Sequence, residues 1–123
     1  MRLSLTALIF LSLSVAGCGN VQLPNGFEIR EADRGKTWVV YPDGKQIIAD
    51  VTGVWVSGDE LIVETSPGNN APPDQSCSYV SIDTRTSISP EISQQRAREM
   101  VGGGSYRQRT LTSGSCLRQQ GIG

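Results

Sequence analysis

The chain has 123 residues, 37% of them hydrophobic, with a formal net charge of −1, three cysteines and no histidine. That length holds one domain, or one domain with tails. The near-zero charge argues against nucleic-acid binding, which needs a clustered basic surface, and the missing histidine removes the commonest general base and the commonest metal ligand together.

At the N-terminus, Arg2 precedes an apolar stretch from Leu3 to Ala16 diluted only by Ser and Thr. As a helix it would reach only ~21 Å at about 1.5 Å per residue, short of the roughly 30 Å hydrocarbon core. This is the pattern of a secretory signal core rather than a membrane span. The stretch ends in Leu13-Ser14-Val15-Ala16-Gly17-Cys18, which resembles the lipobox of bacterial lipoproteins, where an aliphatic residue and two small residues precede a cysteine. The resemblance covers the signal alone. It implies cleavage between Gly17 and Cys18, removal of residues 1–17, and a diacylglyceryl group and acyl chains such as palmitate on the Cys18 thiol. Several acyl chains anchor a protein stably, at about 0.8 kcal/mol per buried CH₂. By the sorting rule of enteric lipoproteins, Gly19 after the cysteine implies the outer membrane, facing the periplasm in a Gram-negative cell. The plainer alternative is an ordinary signal peptide cut after Ala16, with Cys18 a free or bridged thiol.

With Cys18 carrying lipid, Cys77 and Cys116 remain as an even pair in an exported protein, where oxidation is favoured. A bridge between them closes a loop of about 40 residues and contributes on the order of 4 kcal/mol in the chain-entropy model. Two thiols, or pairing between chains, are the alternatives.

Residues 18–26 read as a polar tether. Residues 27–101 read as a β-meander with one short helix, and residues 102–123 as a Gly-rich tail strapped by the disulfide. Phe27 to Ala32 alternates apolar and charged residues, the mark of a half-buried strand. Thr37 to Tyr41 is rich in aromatic and β-branched residues, which suit a pleated surface, and Pro42-Asp43-Gly44 is a tight turn. Gln46 to Thr52 is the third strand, and Gly53 marks a bulge or bend before Val54 to Ser57. Gly58-Asp59 turns the chain into Leu61 to Thr65. The prolines of residues 66–75 end the sheet, and Ser76 to Asp83 is a sixth strand. Ser89-Pro90-Glu91 starts a helix, by capping hydroxyl, first-turn proline and acid. It runs to Met100 or Val101 and stops at Gly102-Gly103-Gly104. Ser105 to Thr112 is a candidate seventh strand. The expected fold is therefore mainly β: a small antiparallel meander of five to seven strands with one short C-terminal helix, flat or curled into a barrel or sandwich.

Several strands are apolar on both faces, which calls for cover on both. Val39, Tyr41, Ile47, Ala49, Val51, Val54, Val56, Leu61 and Val63 form the expected core. Trp38, Val40, Ile48, Trp55 and Ile62 form a second row. Either the row is a partner-binding surface, since Trp and Tyr dominate interface hot spots, or a curled sheet or the tail covers it.

Catalytic chemistry finds little support. The acids Asp33, Asp43, Asp59 and Glu60 sit at turns, where they cap and solvate, and a glycosidase-type pair needs two acids facing across a cleft. Asp83-Thr84-Arg85-Thr86 reads as a strand-end turn. A Ser–Lys dyad has only Lys36 and Lys45 to draw on, both at turns. There is no metal-ligand spacing and no cofactor motif. Arg107, Arg109 and Arg118 make the tail cationic, suited to docking on the acidic domain or meeting an anionic surface. The expected function is a non-catalytic, membrane-tethered binding or assembly module of the cell envelope with a protein partner. The alternatives are an inhibitor of an envelope-acting enzyme such as a lysozyme, through a rigid loop at 66–75, or a histidine-free hydrolase.

Overall fold

Consecutive strands joined by tight turns pair antiparallel, and this chain does so twice. The computed structural model describes residues 20–31, 35–66 and 77–119. The signal and Cys18, and nearly all of the 66–75 loop, lie outside the described residues. The first sheet has the order β1 (Asn20–Gln22), β2 (Glu28–Glu31), β3 (Thr37–Val40), β4 (Ile47–Ile48). At Asp50 the backbone takes φ 56°, a left-handed conformation that Asp tolerates. Beyond it the chain enters a second sheet of β5 (Val51–Ser57), β6 (Glu60–Thr65), β7 (Ser78–Asp83) and β8 (Glu91–Ile92). Helix α1 (Gln94–Gly102) follows, then β9 (Arg107–Leu111), and last the short helix α2 (Cys116–Gln119). Because β9 returns to β5, the second sheet has the order β8-β7-β6-β5-β9.

The mainly-β reading holds: the described residues form two stacked sheets of nine strands in all, rather than one meander of five to seven. The predicted third strand, Gln46 to Thr52, is divided: Ile47 and Ile48 close the first sheet, and Val51 opens the second. Residues 20–26 are not a polar tether. Val21 pairs with Ile29, a 3-10 turn follows at Pro24–Gly26, and Leu23 is buried. Nor is the tail separate from the domain, since β9 adds to β5 and α2 packs in a core.

Two cores result. Between the sheets lie Leu23, Phe27, Ile29, Val39, Tyr41, Val51, Val54, Leu61, Val63 and Ile82. On the outer face of the second sheet, Trp55, Ile62 and Tyr79 are covered by Ala97 and Val101 of α1 and by Leu117 of α2. The strands apolar on both faces are therefore those of a sheet covered twice. Ala49 and Ile47, expected in the core, are exposed, Ile47 by 49%.

Local signals decided the turns. The Asp43 carboxylate accepts from the backbone N–H groups of Lys45 and Gln46 at 2.8 and 3.0 Å. Those bonds, Gln46 first, hold its carboxyl below the usual range. The helix start differs from expectation. Its N-cap is Ser93, which accepts from the Arg96 N–H at 3.0 Å, rather than Ser89. Pro90 and Glu91 are held by the sheet instead. The Pro90 carbonyl accepts from Ser81 N–H, and Glu91 and Ile92 pair with Val80 and Tyr79. Strand pairing outweighed an equally good local cap.

Gly53 sits where the β5–β6 register shifts, as its bulge reading anticipates. Its second role is contact: a Cβ there would lie 2.5 Å from Cη2 of Trp55. Gly53→Ala should therefore cost about 1–3 kcal/mol by overpacking in a urea titration. Gly102→Ala, with open space around its Cβ position, should change stability by no more than about 0.5 kcal/mol.

Candidate functional site

Strand register aligns the outer face of the second sheet into three rows. Gly53, Glu64 and Tyr79 form one; Trp55, Ile62 and Ser81 the next; Ser57, Glu60 and Asp83 the last. Side chains directly opposite on an antiparallel pair share a face, so each row projects the same way.

The first row is a lock. Glu64 is fully buried, and its carboxylate accepts from Thr52 Oγ1 and from the Tyr79 hydroxyl, both at 2.6 Å. It also accepts from the backbone N–H groups of Cys116 and Leu117, both at 3.2 Å. The Cys77–Cys116 disulfide lies beside it. Sulfurs and carboxylate oxygen come within 4.8 Å of one another, but sulfurs joined in a disulfide offer no thiolate for a metal. Burial, then the Glu64 hydrogen bond, pushes the Tyr79 phenol well above its usual range.

The last row is open. Beyond the helix, the sheet ends in a cleft of about 510 Å³ lined by Ser57, Asp59, Glu60, Ser81, Asp83, Arg85, Ile88 and Pro90. Gly58, at φ 58°, allows the two-residue turn that brings Glu60 opposite Ser57. Glu60 is held from two sides: Ser81 Oγ donates at 2.6 Å and the Tyr106 hydroxyl at 2.7 Å. Burial, then Glu60, raises the Tyr106 phenol above its usual range.

Asp59 and Asp83 flank the exposed head of Arg85, with oxygens 3.6 and 3.7 Å from its Nε. These pairs are exposed and worth about 0–1 kcal/mol, so a ligand can displace them. The first sheet braces this rim. Asn25 donates to Asp59 Oδ1 at 3.2 Å and to Thr84 Oγ1 at 2.9 Å. At the mouth, Ser87 takes φ 66° and Ile88 is 64% exposed.

The cleft thus offers a fixed carboxylate, two solvated ones, one adaptable cation and an apolar edge. That set suits recognition of a cationic group beside an apolar one. Ser81 spends its proton on a carboxylate, whereas an activated serine gives it to a base of higher pKa.

No family model matches the chain, and no curated protein or solved structure matches it.

The structure disperses the predicted partner surface. Trp55 and Ile62 are buried in the second core at 1% and 0% exposure, and Ile48 packs against the first. Val40 is buried at 4%. Trp38, on the outer face of the first sheet, is half-buried. The five do not form one surface. The predicted Cys77–Cys116 bridge is present.

The cationic tail docks through a backbone ladder with β5 rather than by charge. Arg107 and Arg109 stay exposed, and among the described residues neither is in an ion pair. Lys36 and Lys45 are exposed at turns.

Sequence reading placed Asp59, Glu60 and Asp83 at turns but missed that they converge, and it passed over Glu64. The available signal was alternation: Glu60, Ile62 and Glu64 lie two apart on one strand, hence on one face.

The lock has measurable consequences. Tyr79→Phe should cost about 1.5–3 kcal/mol, the worth of a hydrogen bond to a charged group. Tyrosines in the unfolded chain titrate near 10, whereas Tyr79 and Tyr106 keep their protons in the fold. Their stabilisation is therefore complete below about pH 10 and falls as pH rises toward the folded values. Tyr79→Phe should lose less stability than the parent between about pH 8 and pH 11 in urea titrations. Replacing both Cys77 and Cys116 by Ser should cost on the order of 4 kcal/mol, read by the same titration.

Proposed function

We propose that this protein is a lipid-anchored, non-catalytic binding module of the cell envelope that presents the acidic cleft to a protein partner. The observation that carries the reading is the lipobox-like Leu13–Cys18 segment immediately before a folded, disulfide-stapled domain. The Cys77–Cys116 bridge fits an oxidising, exported setting. Among the described residues no helix is long and apolar enough to cross a membrane, and an acyl anchor on Cys18 needs none. Gly19 after the cysteine favours the outer membrane of an enteric-type cell, on its periplasmic face. The absence of histidine and the commitment of Ser81 and Glu60 to each other favour binding over catalysis. Anchoring raises local concentration, so a modest cleft suffices for a useful interaction.

The partner that fits is an envelope protein bearing a basic side chain next to an apolar one. The cation meets Asp59, Glu60 and Asp83, and the apolar group meets Ile88.

A second reading, inhibition of an envelope-acting enzyme, draws on the exposed turn that carries Arg85 and Ile88. Such a turn projects from a braced rim, as an inhibitory element must. The 66–75 loop, which the sequence offers for that role, lies almost wholly outside the described residues.

Two experiments test the proposal. Metabolic labelling with palmitate should mark the protein, and Cys18→Ala should abolish both label and membrane association. In-cell crosslinking from the cleft rim should recover an envelope protein, and combined Asp59→Lys and Asp83→Lys should cut the yield about tenfold, or about 1.4 kcal/mol. Recovery of lipid alone, or a yield indifferent to the reversal, overturns the binding role. Capture of a soluble hydrolase in place of an envelope component selects the inhibitor reading.

A further inference from the structure

From the length of chain between Cys18 and the first strand, we infer that the anchor seats one pole of the sandwich directly on the membrane headgroups and holds the acidic cleft at the opposite pole. The inference rests on the proposed lipidation of Cys18. Gly19 alone separates Cys18 from Asn20, and Asn20 is already paired with Arg30 in β1. Two residue steps span at most about 7 Å. A domain on so short a leash cannot swing clear of the surface, so whichever end carries Asn20 meets the headgroups.

Strand register identifies that end. Asn20 lies opposite Arg30, and Arg30 opposite Trp38. The start of β3 borders a groove with the start of β5 and the end of β9, through Lys36, Asp50 and Ser113. The cleft belongs to the other end. Asn25, past the far end of β1, bonds Asp59 and Thr84, and Ser57, at the cleft, closes the seven-residue β5 that begins at Val51. Six strand steps at about 3.3 Å place the cleft roughly 20 Å from the seated pole.

The chemistry of the seated pole suits the headgroup layer. Lys36, Glu31 and Asp50 are exposed, and Arg30 is already paired with Glu28 at 2.6 Å, so the described residues of this pole carry no excess positive charge and contact does not require anionic lipid. Trp38 is half-buried on the outer face in the same row as Asn20. An amphipathic indole is favoured at that depth.

The test uses the acylated full-length product in phosphatidylcholine vesicles containing brominated phosphatidylcholine, with tryptophan emission as readout. Trp55 is 1% exposed beneath α1, so quenching should come from Trp38 and be lost in Trp38→Phe. Inserting a Gly/Ser segment of about twenty residues between Gly19 and Asn20 should also abolish it, with the fold and every side chain intact, which keeps the test valid if Trp38→Phe folds poorly. Acylated protein that floats with vesicles yet shows equal emission with and without the insertion overturns the seating while leaving the anchor in place. An intact mass without lipid on Cys18 overturns the lipoprotein reading, and the seating with it.

Discussion

The Glu64 carboxylate ties three strands of the second sheet to the C-terminal segment. Burying an acid is costly unless its oxygens are hydrogen-bonded, and here the four donors come from three separate elements. Thr52 is on β5, Tyr79 on β7, and the Cys116 and Leu117 amides open α2. Losing any one of these donors leaves a buried carboxylate oxygen less well satisfied. The disulfide fixes α2 to the start of β7, which holds the two amides on the acid. Leu117, carried by that segment, then covers Trp55, Ile62 and Tyr79. A lean C-terminal region is ordered because its few apolar residues close a core that already has an acid to satisfy.

Helix and strap cover only part of the face they pack on. Rows led by Glu64 and Ile62 lie beneath them, and the row of Ser57, Glu60 and Asp83 runs past their cover. Structural burial and the open cleft are therefore continuous along one strand: β6 begins with the acid that lines the cleft and, four residues later, carries the acid that locks the fold. Both acids accept from a tyrosine hydroxyl, Glu64 from Tyr79 and Glu60 from Tyr106. The carboxylate in the cleft is consequently positioned by the same rigid sheet that the lock stabilises, as recognition of a cationic group requires.

Much of this architecture was legible in local chemistry. Asp43 announced its turn because Asp accepts from backbone N–H groups a few residues on, and the bonds to Lys45 and Gln46 are there. Gly53 announced the bulge. The apolar runs in β5 and β6 announced a doubly covered sheet, though not which residues would cover it. The misreadings share one cause. Asn20 to Gln22 looks polar and Glu91-Ile92 looks like a helix start because nothing local reveals that a neighbouring strand will pair with them. Likewise Trp38 and Trp55 look equivalent along the chain, yet one faces out of the first sheet and the other lies under α1. The change of sheet at Asp50 rests on one backbone angle that the residue type permits but does not demand.

Composition and short-range pattern therefore settle the class of the molecule: β-rich, with turns at Asp43 and Gly58 and an even cysteine pair for a staple. They do so because turn chemistry and side-chain alternation act over a few bonds. Tertiary structure alone decided the division into two sheets, the convergence of Glu60, Asp59 and Asp83 on one cleft, and the role of Glu64. Each of these depends on strand register between segments tens of residues apart, and register is set by which faces must be buried together.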